Sequence, residues 1–350
     1  MSLERQLWYT RCPLPTASGI ALDAGILQRR LEGIGWSVDT IEAAGDAQAR
    51  ASHFTHGTAR LFRQGGNIPP IWARARGAGT ALVGIAWTPE YQAILARPET
   101  GIRTVGDLRR RRLGLPVRTS GEIDFWRAMC LRGYDSALRL AGASLDDVEL
   151  IELPVRERYI PEGADDEDES GWMWAGGARM RRQQAEVFAF IRGEVDAIYT
   201  SGAQGLQLRA LLGATEVVDL GSHPGPDIGI NNQVPNILTV DATLAREHPE
   251  VVAEYLRALR EAAGWAQQHE ADANRTCARE VGAPEEWIAP AYRNGPSHAL
   301  AVGLDDRLIA AVASQKDFLL RHGFITQDFE LAQWIDPRPL ELSSRMETSS

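Results

Sequence analysis

Apolar and polar positions alternate along this chain in two rhythms. Short stretches with period-two or unbroken apolar character predict strands at Gln6–Thr10, Trp36–Ile41, Thr80–Trp87, Val148–Leu153, Gly193–Tyr199, Glu216–Gly221 and Ile237–Val240. Thr80–Trp87 is almost wholly apolar, the pattern of a strand covered on both faces. Between these lie segments of helical period. Pro15–Glu32 spaces Ile20, Ala21, Ala24, Ile26, Leu27 and Leu31 along one face, with an interruption expected near Gly25. Further helices are predicted over Gly121–Ala143, Gln183–Arg192 and His248–His269. Thr104 reads as the N-cap of a short helix leading into a strand from Arg112. The acidic run Asp165–Ser170 repels itself and leads into Gly171–Gly177, which reads as a mobile loop.

Strands alternating with helices predict mostly parallel sheets covered by helices. Two such sheets fit in 350 residues. With crossings near 113 and 225, the expected molecule is an α/β protein of two lobes. Lobe 1 takes residues 1–113 plus 226–350, lobe 2 is the insertion 114–225, and a cleft between them is the expected ligand site.

Composition narrows the function. A net charge of −10 argues against a nucleic-acid partner and against an anionic membrane surface. The N-terminus lacks the apolar core of a signal peptide, and no stretch approaches the length of a membrane span, so a cytoplasmic location is expected. Cys12, Cys130 and Cys277 are odd in number and far apart, which fits neither a disulfide framework nor a zinc site. Cys130 and Cys277 read as packed helical residues.

Cys12 differs, because it follows the first predicted strand and precedes a proline-stiffened turn, Pro13-Leu14-Pro15. Downstream come Ser52-His53-Phe54-Thr55-His56 and Arg63-Gln64-Gly65-Gly66-Asn67-Ile68-Pro69-Pro70. A thiol beside an imidazole and a guanidinium is biased toward thiolate. A guanidinium fork grips a two-oxygen anion. The glycine pair permits close approach, and its amides are expected to form an anion-binding nest. His56 is a candidate for the pocket wall, and Trp126, Trp172 and Trp174 are candidates for stacking on an aryl ligand.

Tyr9-Thr10-Arg11-Cys12-Pro13-Leu14-Pro15, His53-Phe54-Thr55, Arg63 to Pro70, Gly193 to Tyr199 and Val217 to Gly221 together resemble the 2′-hydroxybiphenyl-2-sulfinate desulfinase family. That resemblance implies a type II periplasmic-binding-protein-like fold, with two mixed sheets flanked by helices and an interdomain cleft. It implies catalytic roles for Cys12, His53 and Arg63, a Gly66 amide facing the sulfinate, and ring packing by Phe54. It also implies carbon–sulfur cleavage releasing sulfite, with no metal or organic cofactor, a small aromatic sulfinate as partner and a monomeric protein. Gln64 and His56 stand where the family has aromatic residues, and the Gly121–Asp135 segment and the loop of Trp172 and Trp174 differ from it. The alternative is a non-catalytic cytoplasmic solute-binding or ligand-sensing protein of the same fold.

Overall fold

The computed structural model describes residues 5–41, 47–119, 122–159, 183–293 and 295–347. Among the described residues, ten strands form two five-stranded mixed sheets. The first holds β1 (Gln6–Thr10), β2 (Ser37–Thr40), β3 (Leu61–Gly66), β4 (Thr80–Ala86) and β10 (Asn236–Asp241) in the order β2-β1-β3-β10-β4. The second holds β5 (Gln92–Ala96), β6 (Arg112–Arg118), β7 (Glu149–Val155), β8 (Ala197–Ser201) and β9 (Thr215–Asp219) in the order β7-β6-β8-β5-β9. In each sheet the strand that has crossed from the other half runs antiparallel to its neighbours, β10 in the first and β5 in the second.

The expected boundary at residue 113 is corrected. β5 and the start of β6 already belong to the second sheet, so the chain crosses between Ala86 and Gln92. It returns between Asp219 and Asn236. The displacement arises because Gln92–Ala96, a short apolar run, is itself a strand. The two crossings are tied by side chains: Asn231 Nδ2 donates to Glu90 Oε1 (2.7 Å), and Asn236 Nδ2 donates to Thr88 Oγ1 (3.2 Å).

Helices cover the first sheet where the sequence places them. The expected interruption at Gly25 separates α1 (Ala17–Asp23) from α2 (Ile26–Glu32), and Gly25 takes the left-handed conformation there. The helix Pro249–Gln268 packs on this layer, with Tyr255 stacked on Phe62 at 3.9 Å. In the second half, α5 (Phe125–Leu140) is capped by Asp124, whose side chain accepts from Arg127 N. Thr104 forms a capping box with Asp107, ahead of β6. Residues Asp165–Ser170, Trp172 and Trp174 lie outside the described residues.

Candidate active site

The sheet order makes one place special. From β1 the chain winds to β2 on one side, then crosses back to pair β3 on the other. The carboxyl ends of β1 and β3 therefore flank a topological switch point, where open α/β sheets leave a crevice. Cys12 lies just beyond β1, and Arg63 to Gly66 end β3.

Each side chain is positioned by its element. Cys12 occupies the short link between β1 and α1, which is held by the bond from Leu14 N to Cys12 O (2.7 Å) and by Thr16, the N-cap of α1. Arg11 pairs with the largely buried Glu280 and so ties this link to the helix Glu270–Val281. His53 sits in the last turn of α3 (Ala47–Thr55). Arg63 is paired in register with Thr10 across β1 and β3.

The three expected side chains meet. Cys12 Sγ lies 3.8 Å from His53 Nε2 and 3.5 Å from Arg63 Nη2. All three are buried: Cys12 is 4% exposed, His53 and Arg63 each 1%. Two backbone carbonyls fix the guanidinium, His53 O accepting from Nε (3.0 Å) and Gly66 O from Nη1 (2.7 Å). Its Nη2 edge is left facing the sulfur. Burial lowers the Arg63 pKa from its ordinary value, opposed by Cys12 and Tyr9. Among the described residues, no carboxylate forms an ion pair with it.

Thr10 is a site residue that sequence reasoning missed. Its Oγ1 lies 2.7 Å from His53 Nδ1, with both groups buried. Arg63 can only donate, and its Nη2 is 3.5 Å from His53 Nε2. Nε2 is therefore the acceptor nitrogen, and Nδ1 carries the proton and donates to Thr10. The available signal was the i, i+2 spacing of Thr10 and Cys12 in an extended segment.

The glycine pair serves close approach rather than a nest. Gly65 and Gly66 continue β3 and neither has a positive φ, so the alternating backbone hand of a nest is absent. A Cβ on Gly65 would sit 2.1 Å from Cys12 Sγ, and one on Gly66 would sit 2.4 Å from Asn232 Nδ2. The following helix α4 (Ile68–Ala75) offers its N-terminus no free amide. Ile68 N donates to Asn232 Oδ1 (2.8 Å), and Pro69 and Pro70 have no N–H. Arg63 is left as the strong anion donor.

Phe54 is fully buried, edge-on to His53 at 5.1 Å, and it contacts the rings of Tyr159 (5.8 Å) and Phe125 (6.3 Å) from the second half. His56, in the left-handed conformation after α3, turns to Thr239 Oγ1 (3.3 Å) and to the Phe54 carbonyl (3.2 Å) rather than to Cys12. Burial and then Arg63 push its imidazole down to about 3, so it stays neutral. Trp126 lies farther off, on the wall of a concavity in the second half, with its indole Nε1 donating to Glu186 Oε1 (2.6 Å). No group of three or more His, Cys, Asp or Glu among the described residues is placed to hold a metal ion. None of their helices is long and apolar enough to cross a membrane.

The model of the family described as NMT1/THI5 like matches residues 179–273. No curated protein sequence matches the chain significantly. Among solved structures, a Cys-to-Ser mutant of DszB in complex with biphenyl-2-sulfinic acid is 25% identical with a TM-score of 0.76, covering 97% of this chain and 99% of that one. A second structure of the desulfurization enzyme DszB is 24% identical, with a TM-score of 0.73, covering 98% and 99%. The periplasmic aliphatic sulphonate binding protein SsuA from Escherichia coli is 18% identical, with a TM-score of 0.67, covering 95% and 92%. The chain thus has a periplasmic-binding-protein-like fold and resembles DszB along nearly its whole length.

Proposed function

We propose that this protein is a cofactor-independent desulfinase that cleaves the carbon–sulfur bond of an aryl sulfinate of the 2′-hydroxybiphenyl-2-sulfinate type. The observation that carries the reading is a buried Arg63 guanidinium with no carboxylate partner among the described residues, aimed at the Cys12 sulfur. A buried cation calls for a counter-charge, and a sulfinate supplies one where the thiol can reach it. The likeness to DszB supports the same reading.

In the reaction, arene sulfinate and water become arene and bisulfite. Cys12 S–H protonates the ring carbon that bears sulfur, the carbon–sulfur electron pair becomes the new carbon–hydrogen bond, and SO2 departs. Water adds to SO2 to give bisulfite, and the released proton returns to the thiolate by way of His53 Nε2. In the covalent variant, Cys12 S–H protonates the ring carbon as before, the thiolate so formed captures the departing SO2 as a Cys12 S–SO2⁻ adduct, and water hydrolyses that adduct to bisulfite and the free thiol. Arg63 holds the sulfinate oxygens in both, and Thr10 keeps Nε2 of His53 facing the sulfur. Phe54 is assigned to packing beside the ring, Gly66 to closing the sulfinate end, and the protein to a cytoplasmic location.

The test is sulfite release from 2′-hydroxybiphenyl-2-sulfinate and related sulfinates by wild type and Cys12→Ser. Turnover by wild type and none by the variant is expected. A trapped protein adduct heavier by one SO2 would select the covalent variant. The second reading, binding without chemistry, is supported by the fold shared with sulphonate-binding proteins. It is selected if wild type binds sulfinates and releases no sulfite.

A further inference from the structure

His53 has a contact that the desulfinase reading leaves unused. Its imidazole meets Thr10 at Nδ1 and Arg63 at Nε2, while Phe54, the next residue, packs edge-on against the ring. Phe54 in turn lies against two rings of the second half. Tyr159 is nearly parallel to it at 5.8 Å and 23°, and Phe125 follows at 6.3 Å and 30°. Tyr159 and Phe125 stack on each other at 4.4 Å. All three rings are buried.

Tyr159 is fixed at each hydrogen-bonding position it has. Its hydroxyl accepts from Arg118 Nη1 (3.2 Å) and from the amide of Trp126 (3.2 Å) in the first turn of α5, and it donates to Asp124 Oδ1 (2.7 Å). Burial pushes the phenol well above its ordinary pKa, so it keeps the proton that it donates. One donor and two acceptor positions are thereby used. The Arg118 guanidinium also lies 4.8 Å from the ring centre, a cation–π contact. The ring is therefore held in place on the start of α5, where it meets Phe54.

We propose that Tyr159 is a positioning residue: through the Phe54 ring it holds the His53 imidazole in line with Cys12, so that proton return to the thiolate depends on a residue of the opposite half. The inference rests on the desulfinase reading for the task of His53. Hydrogen bonds at the two ring nitrogens fix the imidazole within its own plane. Tilting out of that plane is opposed by packing, and Phe54 supplies packing there. Phe54 stays in place because Tyr159 and Phe125 cover it, at separations where aromatic rings attract. A displacement of about 1 Å at a catalytic group is enough to slow chemistry steeply. The effect falls on turnover, since the sulfinate itself is held by Arg63.

The test pairs Tyr159→Phe, which keeps the ring and removes the hydroxyl, with Tyr159→Leu, which removes the ring. Both are expected to melt below wild type, because Arg118, Asp124 and the Trp126 amide lose a partner in each. Turnover should separate them. With 2′-hydroxybiphenyl-2-sulfinate, Tyr159→Leu is expected to lose roughly tenfold or more in kcat with KM within about threefold, while Tyr159→Phe keeps the larger part of the wild-type kcat. Backbone hydrogen exchange reads the same contact without turnover. The segment Ala47–Thr55 is expected to exchange about fivefold faster or more in Tyr159→Leu and at the wild-type rate in Tyr159→Phe, with Ala17–Asp23 unchanged in both. Equal slowing of the two variants overturns the proposal, as does a raised KM at constant kcat. So does wild-type exchange of Ala47–Thr55 in Tyr159→Leu. Phe125→Leu, which removes the ring stacked on Tyr159, takes the same readings if Tyr159→Leu does not fold. Sulfite release with undiminished kcat in Tyr159→Leu sinks the positioning role alone. Faster exchange in Tyr159→Leu with no sulfite from wild type sinks the desulfinase reading alone.

Discussion

At the scale of single residues, the site depends on contacts that allow little substitution. Gly65→Ala places a methyl group 2.1 Å from Cys12 Sγ, so strand or thiol must move. A loss of about 1–3 kcal/mol is expected, as for other overpacked cores, and thermal melts together with sulfite release would measure it. Thr10→Val keeps the shape but removes the acceptor for His53 Nδ1–H. Leaving that buried donor unsatisfied costs about 1–3 kcal/mol, which corresponds to roughly 5- to 150-fold in turnover if the imidazole orientation serves catalysis. Thr10→Ser should restore most of the rate, and a serine variant as slow as valine would remove Thr10 from the positioning role. The Cys12, His53 and Arg63 cluster was legible in the sequence because thiol, imidazole and guanidinium stand in recognisable segments. Thr10 was not, since a threonine in a strand is ordinary until its partner is seen.

At the scale of elements, β3 shows why the site strand escaped the hydrophobic pattern. All six residues of Leu61-Phe62-Arg63-Gln64-Gly65-Gly66 are buried, yet four of them are polar or glycine. Local rules break where function is built in. β5 escaped for a different reason, since a five-residue apolar run cannot be told from a buried piece of helix by period alone. The helix Gln184–Arg192 carries a second testable feature, Glu186 in its first turn. Burial raises this carboxyl to about 7, partly offset by the bond from Trp126. The folded state therefore keeps a proton that the unfolded chain releases near pH 4.3. This contribution to stability is full below that pH and is lost as pH rises through about 7. The loss amounts to roughly 4 kcal/mol at most. Glu186→Gln, which keeps an acceptor for Trp126, should flatten the stability profile between pH 5 and 8 in denaturant titrations. An unchanged slope would mean that the carboxyl is not titrating there.

At the scale of the whole molecule, the chain crosses between sheets twice, and side chains from both crossings meet next to the site. Asn231 joins Glu90 to Tyr199 OH (3.2 Å), while Asn232 abuts Gly66. A ligand held by Arg63 is thus coupled to the whole fold. At a free concentration one hundred times its dissociation constant, a sulfinate should add about 2.7 kcal/mol to unfolding. Thermal shift would report it, and Arg63→Met should abolish the response. A full shift in that variant would place the anion elsewhere.

The sequence by itself determined the alternation of strands and helices, the two-lobed α/β class, and the cysteine, histidine and arginine, because periodicity and side-chain chemistry are local properties of the chain. The tertiary structure alone decided where the chain first crosses, what Thr10 and Asn232 touch, and that the glycine pair makes room for neighbours instead of curling into a nest. Those are set by strand order and register, which bring Thr10 beside Arg63 and Asn232 against Gly66 across long stretches of intervening sequence. No local pattern encodes a contact whose energy exists only after the two sheets have formed.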